Sequence, residues 1–318
     1  MTVRLLFAGT PAAALPALDA LLAGPHDVVA VLTRPDAAAG RGRRPAASPV
    51  AQRAVEAGVE LLRPRSPRDA DFGRRLAELA LDCAPVVAYG AMLPRSVLDV
   101  PERGWVNLHF SLLPAWRGAA PVQHTLLAGD QVSGATTFRI VEALDAGPLL
   151  GTTTEAVRPA DTAGDLLARL ARSGAKLLAA TIDGLAADRL EPVPQSVEGV
   201  SYAPRIDVDD ARVRWSEPAF AVDRRLRACT PAPGPWTTLS GERLKLGPAV
   251  VTAEDLPTGP DAHRLDPGEL VAGKHQVLVG TGTVALQLGT VQPPGRRPMP
   301  AADWARGARL PDRARLGG

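Results

Sequence analysis

The chain has 318 residues, which is enough for about two domains that each bury a core. Its formal net charge of +2 is close to neutral, so overall charge does not indicate that the protein binds nucleic acid. The local distribution of charge matters more. The two cysteines, Cys83 and Cys229, lack a second cysteine or a histidine at metal-ligand spacing, which excludes a readable disulfide framework or zinc site.

The beginning of the chain predicts a parallel βαβ arrangement. An apolar run at residues 3–8 ends at Gly9, a leucine stripe with helical spacing follows, and residues 28–33 form a second β-branched run. The turn after Gly9 lacks the Gly-x-Gly-x-x-Gly spacing, so no dinucleotide site is predicted. Since a strand-like run stands where a signal peptide would begin, and no later run has the length of a membrane span, we expect a soluble cytoplasmic protein.

A cationic loop follows the second predicted strand. Residues 34–45 contain four arginines and two glycines, and they lie at the strand end where α/β sheets bind ligands. These residues alone leave two interpretations open, a solvated surface loop and a phosphate-binding loop. The arginines are Arg34, Arg41, Arg43 and Arg44.

The middle of the chain continues the alternation of strands and helices. Ser48 and Pro49 predict the N-cap and first turn of a helix, and Gly129 predicts the end of a later one. Beyond a linker rich in proline and serine, short β-like runs punctuated by glycine and proline predict a small barrel. The other predicted elements are strands at 84–90, 105–110, 134–141 and 149–157, helices at 119–128, 162–185 and 217–229, and short strands at 236–239, 244–251, 269–271, 276–280 and 283–291.

Three polar residues form a candidate catalytic group. Strand alternation puts Asn107 and His109 on one side of the sheet, and Asp145 lies in the loop after the next β-rich run. In acyl transfer to an amine, the carbonyl oxygen becomes an oxyanion, which amide and imidazole donors can stabilise. A nearby carboxylate can accept the proton that the amine loses. Ser111 lacks the context of a nucleophile elbow, which favours direct transfer over a covalent intermediate. Taken singly, each residue more often has a structural role, such as capping or closing a turn, than a catalytic one.

Several motifs, in order along the chain, resemble the methionyl-tRNA formyltransferase family over nearly the full length. The similarity is strong in the first part and weaker in the second, where Pro235-Trp236 resembles a segment of the family. The matching runs are Phe7 to Pro11, Val87 to Gly90, Asn107 to Pro114, Arg117 to Pro121 and Leu144 to Gly147.

The resemblance implies a fold and a reaction. It implies a Rossmann-like α/β formyltransferase domain with a mostly parallel sheet in residues 1–190, a linker in residues 191–210, and a small oligonucleotide-binding-like β-barrel that binds tRNA in residues 211–318. The reaction transfers the formyl group of 10-formyltetrahydrofolate to the α-amino group of methionyl initiator tRNA. We expect a monomer without a metal and without membrane contact.

The resemblance also assigns residues. Asn107, His109 and Asp145 match the catalytic trio, and the loop containing Arg34, Arg41, Arg43 and Arg44 resembles a basic insertion that approaches the acceptor stem. Two positions depart from the family pattern. Phe110 stands where the family commonly has glycine, and Pro148 stands where an acidic residue often follows the Asp-x-Gly element. The positions that match the folate-contacting segment and the pterin pocket are Ser111, Leu112, Leu113, Pro114, Tyr89, Gly90 and Leu93.

Two other functions remain open from the residues. A formyltransferase acting on a small amine, such as an amino sugar or a purine precursor, would share the trio but would not need the arginine loop and the barrel together. A non-catalytic tRNA-binding protein would use the loop and the barrel without folate turnover, and it would bind tRNA with a strong dependence on salt.

Overall fold

The computed structural model describes residues 1–39, 44–250, 265–308, 310–311 and 313–317. The chain divides into two compact units, each of which has its own core. The first contains Met1–Gly118, Val132–Ala156 and Leu167–Tyr202, and the second contains Ala119–Gln131, Val157–Leu166 and Ala203–Gly318.

The described part of the chain contains the following elements. The strands are β1 (Arg4–Gly9), β2 (Asp27–Leu32), β3 (Ala37–Ala39), β4 (Arg44–Ala46), β5 (Glu60–Leu62), β6 (Ala84–Val87), β7 (Trp105–His109), β8 (Val132–Arg139), β9 (Leu149–Ala156), β10 (Trp236–Leu239), β11 (Glu242–Leu246), β12 (Leu270–Ala272), β13 (Val277–Val279), β14 (Leu286–Gln287), β15 (Thr290–Gln292) and β16 (Met299–Pro300). The helices are α1 (Leu15–Leu22), α2 (Pro49–Glu56), α3 (Ala70–Glu78), α4 (Arg95–Leu98), α5 (Pro121–Ala128), α6 (Ala163–Ala186), α7 (Ala219–Ala228) and α8 (Ala301–Ala308).

The first unit is built on a mostly parallel sheet with the strand order β5-β2-β1-β6-β7-β8-β9. Strands β5 to β7 in this order run parallel, whereas β8 and β9 are antiparallel at one edge. The central strands β1 and β6 are buried along almost their whole length, as expected for strands covered on both faces. The predicted α/β class with a mostly parallel sheet is therefore confirmed.

Helix α6 covers one face of β7. A Cβ atom on Gly174 of this helix would lie 3.0 Å from a methyl carbon of Leu108, so the absence of a side chain lets α6 pack closely on β7. Since Leu108 points toward α6, its neighbours Asn107 and His109 point to the opposite face of the sheet.

Two sequence signals for helix ends correspond to hydrogen bonds in the structure. The Ser48 hydroxyl accepts a hydrogen bond of 3.0 Å from the Ala51 backbone N–H at the start of α2. Gly129 closes α5 with a left-handed backbone at φ 79°, a conformation that glycine adopts without steric cost.

The second unit contains antiparallel strands around one core. The strands form two sheets, with the orders β10-β11-β15-β16 and β12-β13-β14, and α7 and α8 contribute to the same core through Leu226 and Trp304. Helix α8 has no counterpart in the sequence prediction. The run at 283–291, predicted as one strand, is divided into β14 and β15, and a Cβ on the intervening Gly289 would lie 2.4 Å from the Pro248 carbonyl oxygen. Within the described ranges, no helix combines the length and apolarity that a bilayer crossing requires.

Candidate active site

Strand β7 carries the first two members of the predicted trio. It lies between β6 and β8, where Asn107 pairs with Val86 on one side and His109 pairs with Thr136 on the other. The Asn107 side chain is partly exposed and makes no hydrogen bond to another described residue, so its amide is available to a ligand. The regular hydrogen bonding of the sheet holds both side chains at the end of the strand.

His109 is buried and has a defined orientation. Its Nε2 lies 2.9 Å from the Trp116 carbonyl oxygen, and because a carbonyl only accepts, Nε2 carries the proton. The opposite nitrogen, Nδ1, lies 3.7 Å from Asp145 Oδ2, and the ring packs edge-on against Phe138. Burial lowers the pKa of His109 below its ordinary value, while the Asp145 charge and the bond to Trp116 act in the opposite direction. Nδ1 is therefore the nitrogen that can exchange a proton.

Asp145 completes the trio from the loop between β8 and β9. Its Oδ2 accepts a hydrogen bond of 2.8 Å from the Gly118 N–H, and the same oxygen faces His109. Its backbone has φ 47°, a left-handed conformation that is uncommon for a residue other than glycine. Two residues later, a Cβ on Gly147 would lie 1.7 Å from the Arg139 carbonyl oxygen, so the loop returns to β8 only with glycine at this position.

A glutamine outside the predicted trio holds the Asp145 loop. Gln195 Nε2 donates to the carbonyl oxygens of Asp145 and Gly147, both at 2.8 Å. Its Oε1 accepts from Arg117, at 3.1 Å from Nε and 2.6 Å from Nη2. Sequence reasoning missed Gln195 because it stands 50 residues after Asp145 in a stretch without a helical or strand pattern, where no local signal marks it.

The segment predicted to contact folate is fixed to β8. The Thr136 hydroxyl donates to the Ser111 carbonyl at 2.7 Å and accepts from the Leu113 N–H at 3.2 Å. Leu112 packs on Gly134, where a Cβ would lie 2.4 Å from its methyl carbon, and the Leu113-Pro114 peptide is cis. The Ser111 hydroxyl donates to the Ala115 carbonyl at 2.6 Å and is buried, so it is engaged in closing the turn.

The residues predicted for the pterin pocket follow β6. Tyr89 is 2% exposed, and its hydroxyl oxygen is buried. The Thr10 hydroxyl holds the backbone here by donating to the Tyr89 carbonyl at 2.9 Å, and Gly90 follows with a left-handed φ of 82°. Leu93 is partly buried against the core that includes Tyr89. Burial raises the pKa of Tyr89, while the positive charge of Arg34 and a hydrogen bond with its side chain oppose this effect.

The structure describes only part of the arginine loop. Arg34 follows β2, and its N–H lies 3.4 Å from the Thr10 hydroxyl. Arg41 and Arg43 lie outside the described residues, and of Arg44 only the backbone is described, in strand β4, which pairs antiparallel with β3. A phosphate-binding role for this loop stays a prediction.

The two cysteines and the two positions that depart from the family pattern, Phe110 and Pro148, also lie among the described residues. Cys83 and Cys229 are buried free thiols, and burial raises their pKa to about 12 and about 11. Phe110 is buried, and the Pro148 carbonyl accepts from the Arg139 N–H at 2.9 Å, which anchors the end of the Asp145 loop. Among the described residues, no three histidine, cysteine or acidic side chains are grouped as metal ligands would be.

Both sequence and structure are similar to known formyltransferases. The family profile described as "Formyl transferase" matches residues 1–182, and that described as "Formyl transferase, C-terminal domain" matches residues 205–309. The methionyl-tRNA formyltransferase of Streptomyces coelicolor is 64% identical over 316 residues, covering 99% of this chain and 100% of the relative. That of a Nocardioides species is 62% identical over 318 residues, covering 99% and 98%. The sugar 3N-formyl transferase WlaRD, solved in the presence of dTDP and 5-N-formyl-THF, shares the fold with a TM-score of 0.65 at 14% identity, covering 93% of this chain and 100% of that chain.

Proposed function

The chain belongs to the methionyl-tRNA formyltransferase family, and we propose that Asn107, His109 and Asp145 carry out its reaction. The enzyme transfers the formyl group of 10-formyltetrahydrofolate to the α-amino group of methionyl initiator tRNA. The observation that supports the catalytic assignment best is the position of His109, whose Nε2 is held by the Trp116 carbonyl while Nδ1 faces the Asp145 carboxylate.

The trio can stabilise the charge that develops on the formyl oxygen. Attack by the amine forms a C–N bond and a tetrahedral oxyanion, which preorganised donors stabilise in a site with little water. The Asn107 amide is available as one donor. When protonated, His109 Nδ1 is the second donor, because its 3.7 Å separation from Asp145 Oδ2 leaves this proton available to a ligand atom.

Asp145 has two roles in this proposal. Its negative charge favours the protonated form of His109, against the effect of burial. A carboxylate at this point also accepts the proton that the amine loses, directly or through water, and that proton is returned to N10 of tetrahydrofolate as the C–N10 bond breaks. Since the Ser111 hydroxyl already donates to Ala115, direct attack by the amine is favoured over a covalent intermediate.

We propose that Ser111, Leu112, Leu113, Pro114, Tyr89, Gly90 and Leu93 form the folate site. Apolar groups suit the flat pterin ring, and a few polar groups fix its orientation. The buried Tyr89 hydroxyl supplies one such group. The co-substrate brings the formyl group, and the residues of the chain orient it.

We also propose two tRNA-contacting surfaces, one in each unit. The first is the loop with Arg34, Arg41, Arg43 and Arg44. The second, which we call the tryptophan patch, consists of Arg212, Trp236, Arg243 and Lys245. The guanidinium carbons of Arg212 and Arg243 lie 5.5 and 3.8 Å from the Trp236 ring centroid, and Lys245 pairs with Trp236 across the sheet.

The chemistry of the tryptophan patch suits a phosphate backbone. Its three cationic side chains are exposed and have no acidic partner among the described residues. Stacking on the indole ring keeps the arginines extended, with their N–H groups free for phosphate oxygens. Changing Arg243 and Lys245 to glutamine should therefore raise KM for methionyl-tRNA and reduce the salt dependence of binding, with kcat nearly unchanged.

We propose residues 1–190 as the catalytic domain, 191–210 as the linker and 211–318 as the tRNA-binding domain. We propose a monomer, since one chain supplies the whole trio. Aminoacyl-tRNA is present where translation occurs, and we therefore propose the cytoplasm as the location.

The proposal is tested by incubating the purified chain with 10-formyltetrahydrofolate and methionyl-tRNA and measuring formylmethionine. We expect formylation of methionyl initiator tRNA and none of a free amino sugar. Turnover of a small amine without formylation of tRNA would contradict the substrate assignment, and tRNA binding without folate turnover would contradict the catalytic assignment.

A further inference from the structure

We infer that Gln195 is a positioning residue of the reaction, which holds the backbone of the Asp145 loop so that the carboxylate faces His109. The inference rests on the proposed role of the trio. Gln195 lies in residues 183–204, between the segments that match the two family profiles.

The Asp145 loop has little support of its own. Residues 141–144 are exposed, and the described hydrogen bond within the loop, from Ala146 N–H to the Ala143 carbonyl, is 3.3 Å long. The left-handed backbone of Asp145 is an unfavourable conformation for a side chain with a Cβ. Contacts from outside the loop are therefore needed to keep the carboxylate in place.

Gln195 supplies two of these contacts with a single amide group. Its Nε2 donates to the carbonyl of Asp145 and to that of Gly147, so that it holds the catalytic residue and the point where the loop returns to β8. Both bonds are 2.8 Å, within the normal range for N–H···O.

Arg117 fixes which end of the amide faces the loop. Its guanidinium donates twice to Gln195 Oε1, so the oxygen is directed to Arg117 and the nitrogen to the loop. Arg117 stands between Trp116, whose carbonyl binds His109, and Gly118, whose N–H binds Asp145. The pair therefore links the supports of both His109 and Asp145.

The backbone around Gln195 is itself attached to the first unit. We call residues 193–202 the strap. At one end Val193 exchanges two backbone hydrogen bonds with Leu149, at 2.7 and 2.9 Å. At the other end Ser201 accepts from Trp116 N–H through its hydroxyl and from Arg117 N–H through its carbonyl, both at 2.9 Å. Gln195 thus acts from a fixed position.

Three variants of the full-length enzyme test the inference. Gln195→Ala removes the amide, Gln195→Met keeps its length without donors, and Gln195→Glu keeps the acceptor for Arg117 but places a carboxylate against two carbonyls. We expect kcat for formyl transfer to fall by about 10- to 100-fold in each, the scale of a catalytic group misplaced by roughly 1 Å, with KM for folate changed less than about twofold. The matched control is Gln52→Ala, an exposed glutamine whose Nε2 also donates to a backbone carbonyl, that of Ala47, and it should leave kcat unchanged.

A second readout separates positioning from general stability. Asp145 is the charged side chain that faces His109, across from Phe138 and the Trp116 carbonyl, and it raises the pKa of the imidazole. When the carboxylate is displaced, that pKa falls. Because the protonated imidazole is the donor, the alkaline limb of the kcat profile should move to lower pH in Gln195→Ala. A purely structural role would lower the folded fraction, seen as a lower Tm, without moving the limb.

The outcomes distinguish the inference from the function on which it rests. If Asp145→Asn abolishes transfer but Gln195→Met keeps the kcat and pH profile of the wild type, the inference is overturned and the function stands. If the wild type does not formylate methionyl-tRNA, the proposed function fails. If Gln195→Ala does not fold, Gln195→Met, which retains the packing volume, decides the question.

Discussion

The two sides of the candidate active site are held in place by different kinds of structure. Asn107 and His109 stand on β7, whose position between β6 and β8 is fixed by the hydrogen bonds of the sheet. Asp145 stands on a loop whose position depends on one hydrogen bond from Gly118 and two from Gln195. The difference teaches that the sheet fixes the backbone of a catalytic group on a strand, so that His109 needs only one hydrogen bond to a loop, at the Trp116 carbonyl, whereas Asp145 needs distant side chains to fix its backbone.

On both the strand side and the loop side of the site, substitution of a trio member should have the largest effect on the rate of formyl transfer. Asp145→Asn keeps the shape of the side chain but removes its charge, and His109→Ala removes the imidazole, so we expect the single-turnover rate of formyl transfer to fall by about 10²- to 10⁴-fold. Thermal melting of each variant provides the control for folding. Rates within about twofold of the wild type would show that the reaction does not depend on these residues.

A substitution that changes only the loop backbone should have the next largest effect. In Gly147→Ala the new Cβ would overlap the Arg139 carbonyl oxygen, so the loop must shift, and we expect kcat to fall by about 10²-fold together with a lower Tm. The control is Gly73→Ala in α3, where the added Cβ would meet no described atom within 4 Å beyond its chain neighbours and the backbone of its own helix. It should raise stability by about 0.5–1 kcal/mol and leave kcat unchanged. An unchanged kcat in Gly147→Ala would mean that the loop tolerates displacement.

On the strand side, Thr136→Val should affect the folate segment and spare the trio. It removes the hydroxyl that binds both the Ser111 carbonyl and the Leu113 N–H, which costs about 1–3 kcal/mol for groups left unpaired and should raise KM for folate. Thr137→Val is the matched control, because its hydroxyl binds Thr181 of α6 on the opposite face of the sheet. Both variants should lower Tm, and a rise in KM for both would contradict the assignment of Ser111 to Pro114 as the folate segment.

The smallest effect concerns the pH dependence of stability. The pKa of His109 is lowered in the folded protein, so the unfolded chain binds more protons below its own pKa of about 6.5. The stability that neutral His109 contributes is therefore fully present above the unfolded pKa. It is lost as the pH falls from the unfolded pKa through the folded pKa, and below the folded pKa the free energy of unfolding no longer changes because of His109. Urea unfolding of the wild type and of His109→Gln across this range should give a shallower slope for the variant. Identical slopes would show that burial does not shift this imidazole.

Most of the fold could be predicted from the sequence because the relevant signals are local. Apolar runs and a helical leucine stripe predicted the parallel sheet, and Ser48 and Gly129 marked helix ends through preferences of single residues. Helix α8 was missed because its stripe is mostly alanine around Trp304. The division of the run at 283–291 depends on the approach of Pro248 to Gly289, a contact between residues about 40 positions apart that no local pattern records.

The candidate site shows the same limit. Strand alternation predicted that Asn107 and His109 lie on one face, and Asp145 joined them because it lies in the loop after the next predicted strand of the sheet. Gln195 could not be predicted, because a glutamine in a proline-rich stretch has the same local appearance whether it is solvated or holds a loop 50 residues away. Its role depends on partners that only the folded chain brings together.

The strap has a consequence for recombination between related enzymes. The match to the first family profile ends at residue 182, which would suggest a natural place to exchange the rest of the chain for that of another protein. Such an exchange would replace Val193, Gln195 and Ser201, which belong to the first unit and contact its own loops. A chimaera should keep an intact Asp145 loop only when its junction lies after Tyr202. The end of the strap therefore marks the first position after which the chain can be exchanged without disturbing this loop.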